Sequence, residues 1–233
     1  MIKSFLIITS LEILLFASQQ IVLVVADDFN TSKAQLEFYD DNIKLFTNDV
    51  NIGKNGLAWG IGEVSIAHQK SDPIKQEGDK KAPAGIFKLT DIFGYKHQSH
   101  YKLPYLFTHQ ELICVDDSSS SFYNTVIMKR GDEKSFENMK RDDEQYKLGV
   151  VVGHNTKKVK NAGSCIFLHI EKSKDMGTLG CTSMEYNELE KIVKHLDANK
   201  NPILIQIPFS ASKEILKLYP FLESSSLLHP HHL

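Results

Sequence analysis

The apolar residues of this chain come in short runs broken by turn formers, and that rhythm restricts the fold more than any other feature. "IVLVV" (21–25), "LGVVV" (148–152), "SCIFLHI" (164–170) and "ILIQI" (203–207) are each a strand's length and rich in β-branched residues. "AQLEFYDDNIKLF" (34–46) holds two such runs joined by Asp40-Asp41-Asn42, which predicts a hairpin. "GKNGLAWGIG" (53–62) has four glycines in ten residues, a density that means irregular backbone or close chain approach. One stretch changes period: Leu189, Ile192, Val193 and Leu196 fall at helical spacing and end near "ANKNP". Thr182 and Glu185, three residues apart just before it, read as a capping box that starts the helix. The expected fold is therefore mainly β, with one helix after Cys181 and a short amphipathic helix near the C-terminus.

The chain has 233 residues, 42% of them hydrophobic and 24% charged, enough for one substantial core with no linker to divide it. A net charge of −2 gives no reason to expect a nucleic-acid partner. No dinucleotide fingerprint, P-loop or repeat appears, so no cofactor is expected. Residues 1–19, "MIKSFLIITSLEILLFASQ", carry an early Lys3, an apolar run and small Ala17 and Ser18, the layout of a cleaved export leader. Glu12, Gln19 and Gln20 argue against a membrane span. The expected layout is a leader at 1–19, one domain at 20–208 and an extension at 209–233 with a disordered end. His229, His231 and His232 in that end read as a floppy terminus rather than a metal site. The charged stretch 130–146 reads as a solvated face, with a loop covering a site as its alternative.

The chemistry concentrates in "CIFLHIEKSKDMGTLGCTSM" (165–184). Cys165, His169 and Cys181 leave three and eleven intervening residues, without a fourth ligand or a close Cys pair, so zinc is disfavoured. Cys114 and Cys165 both lie in apolar runs; they can pair, but small buried hydrophobes is the favoured reading. Cys181 differs, because it follows Gly180 and directly precedes the expected helix. A helix N-terminus there lowers a thiol from ~8.5 to as little as ~3.5–7.5 and favours a nucleophilic thiolate. The glycine-rich approach to Cys181 also leaves backbone N–H groups free to form an oxyanion hole. His169, ending its strand, is the candidate base, and His154 in "VVGHN" is its rival.

"SCIFLHI" followed by "GTLGCTSM" resembles the catalytic signature of the L,D-transpeptidase (YkuD-like) family, in which a His precedes a Ser/Thr-x-Gly-Cys turn. "GKNGLAWG", "EGDKKAPAGIF", "CVDDSSSSFYN" and "VVVGHN" resemble further blocks of one branch, so the likeness spans about Gln20 to Pro208. It implies a β-sandwich-like domain, an exported envelope enzyme of cell-wall biogenesis, and peptidoglycan stem peptides as substrate and partner. It also implies Cys181 as nucleophile, His169 as base, Thr178 as the hydroxyl of the turn, Gly180 in the oxyanion hole, and the Ile170 carbonyl orienting the imidazole. Many members carry Arg two residues after the Cys, where this chain has Ser183. The reaction implied is L,D-transpeptidation, with L,D-carboxypeptidation or non-catalytic peptidoglycan binding as alternatives.

Overall fold

The computed structural model describes residues 18–97 and 100–230; residues 1–17, which hold most of the leader expected at 1–19, and His231 and His232 lie outside the described residues. Strands β1 (Gln20–Ala26), β2 (Lys33–Asp40), β3 (Ile43–Asn51), β4 (Leu57–Trp59) and β5 (Ala82–Gly94) come first. Next are β6 (Tyr105–Phe107), β7 (Leu112–Val115), β8 (Thr125–Met128) and β9 (Phe136–Asn138). Then come β10 (Leu148–Val152), β11 (Phe167–Ile170), β12 (Thr182–Met184), helix α1 (Tyr186–His195), β13 (Ile203–Pro208) and helix α2 (Ser212–Leu218).

The main sheet runs β10-β11-β12-β3-β2-β1-β13-β5, and β10 also pairs with β5, so the sheet closes on itself like a barrel. The expected mainly β architecture is what the chain adopts. β1 is buried at every position and lies parallel to the equally buried β13, which is why both read as unbroken apolar runs rather than alternating ones. The hairpin at 34–46 forms as expected between β2 and β3. Asp41 and Asn42 supply the positive φ angles, 49° and 68°, that a tight two-residue connection requires. Helix α1 presses its buried Leu189, Ile192 and Val193 toward β10 and β11.

The C-terminal extension differs from expectation. As far as Pro230 it is folded onto the barrel, with Leu222, Leu227 and Leu228 in the main core. Its anchor is polar: buried Glu37 accepts from Ser225 Oγ (2.6 Å), Tyr39 Oη (2.6 Å) and Lys44 Nζ (2.8 Å). Burial pushes this carboxyl upward, but the hydrogen bonds from Lys44, Ser225 and Tyr39 outweigh it and hold Glu37 below its usual range.

Segment 130–146 also differs from the solvated face expected of it. It contributes β9 to a second, three-stranded sheet, β8-β7-β9, and buries Met139 and Tyr146. Cys114 on β7 and Cys165 before β11 form a disulfide, with Cα atoms 6.0 Å apart, that ties this small sheet to the barrel. The reading of the two cysteines as unpaired hydrophobes is overturned: Cys165 sits at φ 54° in a turn rather than in a strand, and that turn faces Cys114.

Candidate active site

Cys181 and His169 are brought together by strand pairing. β11 and β12 run parallel, with Leu168 opposite Thr182 and His169 opposite Ser183. Continuing that register sets Cys181 beside Phe167, and alternation along a strand puts Phe167, His169, Cys181 and Ser183 on one face. The Phe167 N–H donates to Cys181 Sγ (3.4 Å), and the Cys181 thiol donates to the Cys165 carbonyl (3.5 Å). A group that donates to a carbonyl carries its proton, so the sulfur is a neutral thiol. Burial pushes it up to about 12, and the nearby Glu137 charge adds to the rise.

His169 is buried as well. Its Nδ1 lies 2.8 Å from the Ile170 carbonyl oxygen. A carbonyl only accepts, so Nδ1 bears the proton and Nε2 is left with its lone pair free. This is the carbonyl contact that the family resemblance implies. Burial lowers the imidazole to about 4, because a charged ring would be desolvated. The resting pair is thus neutral thiol and neutral imidazole.

The expectation of a thiolate at a helix mouth is corrected by these facts. The residues after Cys181 are β12, and α1 begins only at Tyr186. Its N-cap is Glu185, without a side-chain cap, so the Thr182–Glu185 capping box does not form. Thr182 is buried in the sheet and donates to Gln206 Oε1 at 2.6 Å instead. Strand pairing with β11 outcompetes the local capping signal, and burial rather than a helix dipole governs the sulfur.

The turn before Cys181 is built around Thr178. Its Oγ1 donates to the Cys181 carbonyl (2.6 Å) and accepts from the Gly180 N–H (3.0 Å). The Gly180 N–H is therefore committed to the turn and is not free for an oxyanion, contrary to the role expected of it. Gly180 is needed for its backbone: φ is 147°, and an added Cβ would sit 3.2 Å from the Lys81 carbonyl.

Thr178, Gly180, Cys181, His169 and Ser183 all line one cavity of about 480 Å³. Its wall also includes Lys75, Glu77, Asp116, Glu137, Arg141 and Tyr146, which sequence reasoning did not single out. Lys75, almost fully buried, donates to the Gln76 carbonyl (2.8 Å) and pairs with Asp79 (2.5 Å). Glu77 accepts from Ser164 Oγ (2.7 Å) and from the Tyr123 hydroxyl. Arg141 forms a two-point pair with Asp143, at 2.9 Å from Nε and 2.6 Å from Nη2. Two of the wall residues, Glu77 and Asp116, belong to the blocks "EGDKKAPAGIF" and "CVDDSSSSFYN", so those turn signals were legible but their convergence was not. A larger cavity, about 890 Å³, lies elsewhere against β2 and β3 and contains neither Cys181 nor His169.

His154 takes no part in this cavity. It is buried against Phe87, with ring centroids 5.6 Å apart, and its Nε2 bonds the Ala162 carbonyl at 2.9 Å. Asn124 locks the same region, donating to the His154 and Asn155 carbonyls (2.8 and 2.9 Å) and accepting from Cys165 N–H (2.9 Å). The rival base is a packing residue. Zinc binding by Cys165, His169 and Cys181 is also excluded, because Cys165 is consumed by the disulfide.

Residues 23–205 match the YkuD family, the L,D-transpeptidase catalytic domain, and the chain belongs to this family, whose members act on peptidoglycan. None of the curated proteins matches the sequence. Among solved structures, the chain is similar to the helical cell shape determining protein Pgp2 from Campylobacter jejuni, with a TM-score of 0.41 and 15% identity. That likeness covers 82% of this chain and 48% of the Campylobacter protein, about half its length.

Proposed function

We propose that this chain is an exported cysteine acyltransferase acting on peptidoglycan stem peptides, an L,D-transpeptidase. The observation that supports the reading is the pairing of β11 with β12, which sets Cys181 and His169 on one face beside the same cavity, with the imidazole held by the Ile170 carbonyl. Because the resting thiol is neutral, proton transfer accompanies attack. Cys181 Sγ bonds to the carbonyl carbon before the terminal D-alanine while His169 Nε2 takes the thiol proton. The protonated imidazole then gives that proton to the leaving D-alanine amine, and a thioester remains. An amine of a neighbouring stem attacks the thioester, restoring the thiol and forming the cross-link.

With the Gly180 N–H committed to Thr178, the Cys181 N–H is the oxyanion donor left in the turn, a type of contact typically worth ~2.7–4 kcal/mol in the transition state. Export is supported by the leader composition of residues 1–19 and by the Cys114–Cys165 disulfide, which suits an oxidising compartment. Cleavage after Ala26 would delete the buried strand β1, which supports a cut before Gln20. Among the described residues no helix is long and apolar enough to cross a membrane.

The test is product analysis by mass spectrometry after incubation with a disaccharide tetrapeptide. Cross-linked dimers are expected from the wild type and not from Cys181→Ala. Tripeptide products alone would reassign the chain as an L,D-carboxypeptidase, and no conversion by either protein would leave only binding.

A further inference from the structure

Tyr146 and Glu137 lie against the reacting pair, and neither is needed by the mechanism above. Tyr146 is 4% exposed and packs in one cluster with Phe167, Cys165 and Cys181. Its ring meets His169 edge-on, with centroids 5.3 Å apart. Its hydroxyl donates its proton to Glu137 Oε2 at 2.6 Å, in the wall of the cavity that Cys181 also lines. Glu137 comes from β9, opposite Cys114, so the disulfide-tied small sheet carries this carboxylate to the cavity.

The phenol has one proton to give. While Glu137 is ionised it accepts that proton's hydrogen bond, and the sulfur cannot receive it. The carboxylate also places a negative charge near the position where the thiolate must form, which costs energy in a dry site. We infer that Glu137, acting through Tyr146, is a positioning residue that keeps the Cys181 proton on sulfur by turning the tyrosine hydroxyl away and by its own charge. The inference rests on Cys181 being the reacting sulfur, as proposed above.

The groups that face Glu137 are Tyr146 and Arg141 from the segment after β9, Asp116 after β7, and Glu77 before β5. Burial raises Glu137 to about 6, with Asp116 and Glu77 adding to the rise and Tyr146 and Arg141 opposing it. Protonating Glu137 removes its charge and weakens the hydrogen bond it accepts, so that the tyrosine hydroxyl can turn toward sulfur.

Alkylation by iodoacetamide tests this without any peptidoglycan. Cys114 and Cys165 are bonded to each other, so the reagent reports on Cys181 alone. In wild type, log rate against pH should rise in two limbs separated by a shelf near 6, where Glu137 loses its proton. Glu137→Gln should remove the shelf and speed alkylation at pH 8 by about tenfold, the effect of one pKa unit. Glu137→Asp, which keeps the charge, should stay within about twofold of wild type at that pH, well short of the one-unit effect. A straight wild-type limb of unit slope through pH 6 overturns the inference, as does equal acceleration by Gln and Asp. Failure of the acyltransferase reading shows elsewhere, as undiminished muropeptide turnover by Cys181→Ala.

Discussion

At the scale of single residues, the nucleophile and its base are defined by burial and hydrogen-bond direction rather than by charge. Cys181 donates to a carbonyl and His169 Nδ1 donates to another, so the only basic lone pair on the imidazole is at Nε2. Replacing His169 with Asn removes that base. Turnover of tetrapeptide stems should fall by roughly 10²–10⁴-fold with folding intact, as judged by kcat and thermal melting together. Less than tenfold loss would remove His169 from the chemistry. Cys181, His169, Thr178 and Gly180 were legible in the sequence because they lie within a single short window with distinctive residue types. Glu137 and Tyr146 were not, since nothing in "RGDEKSFENMKRDDEQY" shows that one strand of it pairs with β7 beside the cavity. The charge density of that window pointed to solvent, and the buried Met139 and Tyr146 within it were outvoted.

At the scale of elements, the turn from Thr178 to Cys181 holds the sulfur in place. The Thr178 hydroxyl makes both of the turn's side-chain hydrogen bonds. Thr178→Val keeps the shape and loses both, which should cost about 1–3 kcal/mol and lower kcat, while Thr178→Ser should retain most of each. Equal behaviour of Val and Ser would show that the methyl rather than the hydroxyl matters. The helix after Cys181 was legible from its apolar spacing, but its start was not. A local capping signal at Thr182 competed with a ladder to β11, whose paired residues lie 14 positions upstream, and the non-local partner won. The same kind of competition hid the disulfide: Cys165 reads as a strand residue until the positive φ of its turn is known.

At the scale of the molecule, two features link the barrel to the site. The first is the disulfide, which closes a loop of 51 residues and holds the small sheet, with Glu137, against the cavity. Its loss should cost about 4 kcal/mol by chain entropy, a melting shift of roughly 10 °C between oxidised and reduced protein. Coincident melting curves would show that the bond contributes nothing. The second is the set of buried titratable groups. His154 and His169 are each lowered to about 4, so they are uncharged when folded yet bind protons when unfolded below ~6.5. Unfolding therefore takes up protons between these values, and stability falls as pH drops through that window. Glu137, raised to about 6, acts oppositely over the middle of it, and Glu171 is raised too, but Glu37, held low, acts with the two histidines at its lower end. Urea midpoints should decrease steadily from pH 7 to 4.5; flat or rising midpoints would contradict the burial of these groups. The mainly β class was legible at this scale because short apolar runs dominate. Closure of the sheet through β10 and β5 was not, since register between distant strands leaves no local trace.

The most direct test is intact-protein mass spectrometry of the enzyme quenched during turnover of a tetrapeptide stem. A mass increase matching the acyl tripeptide, on wild type and abolished in Cys181→Ala, is the expected result. Turnover at an undiminished rate by Cys181→Ala, or an adduct mapped to another residue, would contradict the assignment of this sulfur as the nucleophile.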